Sequence, residues 1–486
     1  MFFNSVEFLI FFPVVVGLYF ATPHRFRWIL LLAASYYFYM AWEPAYALLI
    51  AGSTVVDYFT ARAMGSRATK RERRPFLWLS LAANLGLLGY FKYANFFAGS
   101  LNALRVLPEV PYHDFLLPVG ISFYTFQTLS YTIDVYRGAR DAERHFGIFA
   151  LYVSFFPQLV AGPIERSTRL LPQFFEHYGF DYERVASGLR LMLWGFFKKV
   201  VIADHVATYV DVVYNSPADH TGLTVWIATY FFAFQIYCDF SGYSDIAIGT
   251  ARVMGYELMD NFRRPYFSKS IAEFWRRWHI SLSTWFRDYV YIPLGGNRVS
   301  KGRWYANLMI VFLVSGLWHG ANWTFVVWGG LHGLYLVVGL VTQPARDQAW
   351  SRVVSNQQLQ RMSFLPSGAT VRKWVAVFVT FHLVVLAWVF FRAANVGEAW
   401  LLLGNMFQAG PMLPALPVFG NFELLLAFAG IGFMELVHLS ERTETIVDRV
   451  GRWPAFLRWA VYLGVTMWIL VFGAIGKEQA FIYFQF

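Results

Sequence analysis

Apolar residues in this chain fall in long uninterrupted runs, and the charged positions gather in short stretches between them. The runs Leu9–Phe20, Trp28–Met40, Tyr46–Phe59, Phe76–Phe91, Phe146–Val160 and Leu191–Ile202 each predict a helix apolar enough to lie in lipid. So do Leu223–Tyr237, Asn307–Leu317, Trp323–Val341, Trp374–Phe391, Phe422–Val437 and Ala455–Phe472. Several are shorter than the roughly 20 residues of a perpendicular span, so flanking residues extend them or they are re-entrant. Lys198 and Lys199 break one of them. There is no internal repeat, heptad register or low-complexity linker. The pattern predicts an all-α polytopic membrane protein, one membrane-embedded domain over residues 1–486, with roughly a dozen spans.

Composition agrees. The 486 residues are 57% hydrophobic and 20% aromatic, with 14% charged, too few charges to cover a soluble fold of this size. The first apolar segment lacks a basic start and a small-residue cleavage site, so it is expected to stay as a membrane helix. The net charge of +10 would point to nucleic acid in a soluble protein. Here the basic residues cluster in loops instead, and no nucleic-acid motif is present. Arg62, Arg67, Lys70, Arg71, Arg73 and Arg74 face only Glu72, which places that loop in the cytoplasm. Arg137, Arg140 and Arg144 mark a second cytoplasmic loop, and the stretch from Glu257 to Arg303 a third. The loops Ala98–Asp114 and Gly404–Gly420 are poor in basic residues and are expected to face outward. Cys238 is the only cysteine, which excludes an intrachain disulfide and a multi-cysteine metal site.

Proline and glycine interrupt the apolar pattern at Pro118 and Gly120, at Pro157 and Pro163, and at Pro293. Broken backbone at membrane depth is tolerated only under a cover of protein or beside a water-filled cavity. These points therefore mark re-entrant segments around a cavity, or else loop ends outside the bilayer.

Candidate chemistry concentrates between Glu273 and Val341. His319 lies in SGLWHGANW beside Trp318, and a neutral imidazole there could act as general base; the alternative is a core histidine bonded to a neighbouring helix. His332 stands thirteen residues on, roughly 220° around a continuous helix, so the two could not clamp one haem or metal from a shared face. It reads as structural or cavity-lining. His279 follows Arg276, Arg277 and Trp278 at an expected cytoplasmic rim, where neighbouring guanidinium groups would keep it neutral. Arg276, Arg277 and Arg287 could grip phosphates of a donor such as coenzyme A, with Asp288 beside them; the alternative is anchoring to membrane lipid by Arg and Trp. Asp239 and Asp245, within YCDFSGYSDIAIG, must pair or be protonated if buried. They would brace the arginines or orient an imidazole, or mark the ion path of a transporter or channel.

At these residues the sequence resembles the membrane-bound O-acyltransferase (MBOAT) family, and within it the bacterial alginate O-acetylation branch. The resemblance is densest over 116–138, 155–166, 237–333 and 388–393, through blocks such as LPVGISFYTFQTLSYTIDVYRG, FFPQLVAGPIER, NFRRPYFSKSIAEFWRRWHISLSTWFRDYVYIPLGGNR and SGLWHGANWTFVVWGGLHG. It implies a ring of helices around a thin centre, with a cytoplasmic and a periplasmic funnel. It also implies an inner-membrane enzyme passing an acetyl group from a cytoplasmic donor, acetyl-CoA, toward an extracytoplasmic polysaccharide. The polymer would be alginate, with peptidoglycan or cellulose as the alternatives. The histidine of the WHG block falls on His319 and that of the RWHISLS block on His279, as the catalytic pair. Trp278, Asp288, Trp318, Asn322 and His332 would join the arginine group as donor-binding or cavity-lining residues. No bound cofactor or metal is implied. Phe486 closes the sequence soon after the last apolar run, so a separate periplasmic partner of the SGNH-hydrolase-like type is expected to deliver the acetyl group.

Overall fold

The computed structural model describes residues 1–486 apart from 106–107, 114–116, 160–161, 355–367, 411–415, 442–443, 475–480 and 483–486. Parts of both loops expected to face outward, and of the blocks beginning at 116 and 155, thus lie outside the described residues. The regular elements of the described residues are helices, with a lone antiparallel bridge between Leu416 and Phe419. Five helices are long and apolar enough to cross a membrane, namely Leu223–Met254, Trp323–Arg352, Gly368–Arg392, Asn421–Ser440 and Ala455–Phe472.

Helices and apolar runs differ in an instructive way. The run ending at Tyr237 continues as helix to Met254, because its polar residues find buried partners instead of ending it. The run Asn307–Leu317 is the middle of helix Lys301–His319. Two other runs pass into π-helical turns at Gly89–Tyr93 and Phe197–Ala203, each followed by a further α-helix. A π turn rotates the faces before and after it out of register, so one helical period cannot describe the whole element. The breaks at Pro118, Pro157 and Pro163 are covered by protein, whereas Pro293 is exposed in a turn. Helix Phe146–Ser154 ends at Phe155, a short turn Phe156–Leu159 contains Pro157, and both Pro157 and Pro163 are buried.

The chain folds as two compact units that interleave in sequence. The first comprises Met1–Asp204, Tyr237–Asp260 and Phe433–Gln485. Within it, Asp57 on helix Ala47–Gly65 accepts hydrogen bonds from Ser80 Oγ (2.5 Å) and Asn84 Nδ2 (2.9 Å), tying that helix to Lys70–Leu88 by polar contacts in an apolar setting. Helix Tyr182–Phe196 meets the second half of Leu223–Met254 at facing glycines. A Cβ on Gly195 would stand 2.7 Å from the Gly242 carbonyl, and one on Gly188 2.7 Å from that of Gly249. The close approach brings Lys198 and Lys199 onto the carboxylates opposite. Lys199 Nζ lies 2.6 Å from Asp239 and 2.7 Å from Asp204, and Lys198 Nζ 2.7 Å from Asp245. Asp239 and Asp245 are thus charge-paired, but with lysines and not with the arginines or imidazole expected. They neutralise two lysines that look, in sequence, like a flaw in an apolar run. Cys238 is buried with its thiol 3.4 Å from Met434 Sδ.

The second unit comprises His205–Ile236 and Asn261–Gly432. At its centre helices Lys301–His319 and Trp323–Val354 form a tight hairpin. A Cβ on Gly316 would lie 2.2 Å from the Phe325 carbonyl oxygen, and one on Gly329 equally close to that of Phe312. Only glycine at both positions lets the backbones touch. The hairpin turn that follows carries the histidine of interest.

Candidate active site

His319 is the last residue of helix Lys301–His319, which stops as Gly320 adopts an extended backbone. Asn322 closes the turn. Its Oδ1 accepts from the Thr324 amide (3.1 Å) and its Nδ2 donates to the Ala394 carbonyl (2.9 Å), fastening the hairpin to the end of helix Gly368–Arg392. Asn322, expected to bind the donor or line the cavity, caps the second helix of the hairpin. The His319 ring is 2% exposed and edge-on to Trp318 (5.0 Å between centroids), Trp328 (5.0 Å) and Phe391 (5.5 Å).

His279 lies 6.4 Å from His319, ring centre to ring centre, and 6.1 Å from Trp318. It precedes the short helix Ile280–Phe286 with a left-handed backbone (φ 45°), a conformation that a β-substituted residue holds only when its surroundings fix it. Asn261 supplies the fixing. Its carbonyl accepts from the Ile280 amide (2.9 Å), and its Oδ1 accepts from the Ser281 amide (3.3 Å) and hydroxyl (2.9 Å). His279 Nδ1 is 3.2 Å from the same Oδ1. The Ser281 amide can only donate, so that Asn261 atom is the oxygen, and Nδ1 must be the donor toward it. The lone pair of a neutral His279 is therefore on Nε2.

Burial, with no exposed surface left on the residue, pushes the His279 imidazole down to about 3. The expectation of a rim histidine kept neutral by neighbouring guanidinium groups is corrected: it is interior, and desolvation holds it neutral. Arg277 is bound to Glu273 (2.6 Å) and Arg287 to Asp288 (2.8 Å), and Arg276 is exposed. The Arg287–Asp288 pair is the more exposed of the two, and a pair of that kind is worth about 0–1 kcal/mol, while Arg277–Glu273 is half-buried. Trp278 does not anchor a surface. It is fully buried, stacked on Phe274 (5.4 Å) and 5.1 Å from Trp388.

His332 belongs to the partner helix of the hairpin, so the premise of one continuous helix fails, and Trp328 stands between the two rings (5.0 Å from His319, 4.9 Å from His332). Trp275 Nε1 donates to His332 Nδ1 (3.2 Å), which makes His332 part of an aromatic wall. Sequence reasoning brought His279 and His319 forward but missed Asn261. Its signal was a lone amide opening the block NFRRPYF, with nothing to show which side chain it would meet.

An all-helical, multi-pass membrane protein with two imidazoles buried in an aromatic cage is the class that fold and site define. The model of the MBOAT, membrane-bound O-acyltransferase family matches residues 142–390. The chain is 43% identical over 416 residues to the probable alginate O-acetylase AlgI of Pseudomonas aeruginosa, covering 84% of this chain and 75% of that one. It is 42% identical to the probable alginate O-acetylase AlgI of Azotobacter vinelandii (84% and 79% covered) and 36% identical to the peptidoglycan O-acetyltransferase of Helicobacter pylori (87% and 77% covered). The chain belongs to the membrane-bound O-acyltransferase family, and it is a bacterial multi-pass membrane O-acyltransferase.

Proposed function

We propose that this enzyme takes an acetyl group from cytoplasmic acetyl-CoA and passes it across the cytoplasmic membrane for O-acetylation of an extracytoplasmic polysaccharide, alginate, with His319 and His279 at the reacting centre. The observation that carries the proposal is the imidazole pair, 6.4 Å apart, buried and lined by tryptophan. His319 takes the proton of the attacking hydroxyl while the hydroxyl oxygen bonds to the thioester carbonyl carbon. Collapse of that adduct breaks the C–S bond, and the proton returns to the leaving thiolate. His279, with its lone pair directed by Asn261, is placed to relay or accept that proton. Burial serves the chemistry, because a thioester held away from water acylates its acceptor instead of hydrolysing.

Names of relatives support the polymer: the O-acetylases matched over 84% of this chain are named for alginate. A periplasmic partner of the SGNH-hydrolase-like type receives the acetyl group and places it on the polymer. Peptidoglycan is the second reading, favoured by the relative named for it. The test is acetyl-ester content of each purified polymer in cells carrying His319→Ala at wild-type membrane abundance. Loss of alginate ester with peptidoglycan unchanged supports the proposal. Loss confined to peptidoglycan would move the assignment to that polymer, and undiminished ester in both would remove His319 from the mechanism.

A further inference from the structure

A second site lies in the first unit, independent of the histidines. Helix Tyr182–Phe196, the end of Leu223–Met254 and the start of Ala455–Phe472 enclose a basin of about 570 Å³ whose lining includes Arg184, Arg190, Arg252 and Arg458. Each guanidinium is held by a neutral acceptor. Arg184 donates to the Gly179 carbonyl, Arg190 to that of Val447 (3.2 Å), Arg252 to Ser187 Oγ (3.0 Å) and Arg458 to the Gly451 carbonyl (3.2 Å). Glu183, Glu257 and Asp448 also line the basin, yet among the described residues none of the four arginines is in ion-pair contact with a carboxylate. Arginines fixed by carbonyl and hydroxyl oxygens, without an ion pair of their own, keep most of their N–H donors for a tetrahedral oxyanion, which two or more forks can grip together. Gly451 makes the fixing possible, since a Cβ there would come 2.7 Å from Arg190 Nη2.

The surroundings specify the ligand further. Glu257 opens the basic stretch that the loop charges place in the cytoplasm. Helix Ala455–Phe472, whose first turn carries Arg458, has none of its span buried in the protein and presents Phe456, Trp459 and Leu463 outward. A phosphate lodged among the arginines would thus sit at the foot of an apolar surface made for acyl chains. Basic pockets at the cytoplasmic end of membrane helices suit anionic headgroups.

We propose that this basin binds a phosphate-bearing anion, and that the headgroup of an anionic membrane lipid supplies it. The purified full chain in detergent would be titrated with phosphatidylglycerol, phosphatidylcholine or pyrophosphate, and adducts counted by native mass spectrometry. Wild type should retain phosphatidylglycerol at least about tenfold more tightly than phosphatidylcholine. Arg190→Gln/Arg252→Gln should lose that preference, and Arg458→Gln and Gly451→Ala, milder changes should the double variant fail to fold, should weaken it. Equal retention of the two lipids by wild type, or an undiminished preference in Arg458→Gln and Gly451→Ala, would overturn the site. Binding of pyrophosphate without phosphatidylglycerol would overturn the lipid assignment.

Discussion

Asn261 governs which nitrogen of His279 is basic, and it does so through one oxygen shared with Ser281. It is a positioning residue: Asn261→Ala would let the ring choose either tautomer, and a wrong tautomer cannot relay a proton. Turnover is expected to fall by about 10²-fold, within the range of general acid–base contributions. A merely structural role would lower protein yield without moving the pH–rate profile, so a profile displaced in the folded variant is the discriminating readout. His279→Ala should lose at least as much activity. Glu165 offers a pH test outside the site. Burial raises its carboxyl to about 7, although it accepts the Met259 amide. A carboxyl raised on folding contributes fully below its ordinary 4.5, and the contribution is lost as pH climbs through about 7. Wild type should therefore lose melting temperature between about pH 5 and about pH 8, and Glu165→Gln should flatten that slope. Equal slopes in the two proteins would show that Glu165 is not the titrating group.

At the scale of helices, glycine contacts decide where the site residues stand. Gly316→Val would drive a side chain into the Phe325 carbonyl, only 2.2 Å from the Cβ position, and part the hairpin that presents His319. The expected cost is about 1–3 kcal/mol with a matching fall in melting temperature, together with lost activity. Gly17, whose Cβ would meet nothing within 4 Å, is the control site that should tolerate alanine. Much of this level was legible in the sequence. Apolar runs located the membrane helices because lipid demands continuous apolar surface, and the family blocks held His279 and His319. What stayed hidden depended on partners distant in the chain. The length of Leu223–Met254 was masked by Asp239 and Asp245, whose lysines come from another helix. The shift of phase at the π turns leaves no mark in an apolar run, and the interior place of Trp278 could not be told from an interfacial one. Asn261 and His279 are neighbours only because the backbone between them folds back.

For the whole molecule, the buried lysine–carboxylate network ties the first unit together. Lys199 is 1% exposed and bridges Asp204 and Asp239, and the Ile482 amide donates to Asp239 as well (2.7 Å), so three distant segments meet at one charge. Lys199→Met leaves two carboxylates buried and unneutralised, a loss of about 3–5 kcal/mol by analogy with other broken buried pairs. It should show as reduced membrane abundance and a lower unfolding temperature in detergent. Lys199→Met combined with Asp204→Asn and Asp239→Asn should recover part of the loss, because no stranded charge remains. A triple variant no better than the single would show that the network's geometry, not its charge balance, is what matters.

The most direct test concerns the acetyl transfer itself, followed as free coenzyme A thiol released when purified enzyme and the proposed periplasmic partner meet acetyl-CoA and a uronate oligosaccharide. Wild type should release thiol in step with ester formed on the acceptor, and His319→Ala, folded and equally abundant, should release it at least about 10²-fold more slowly. Thiol and ester formed by His319→Ala at the wild-type rate would contradict a catalytic imidazole at the tip of the hairpin.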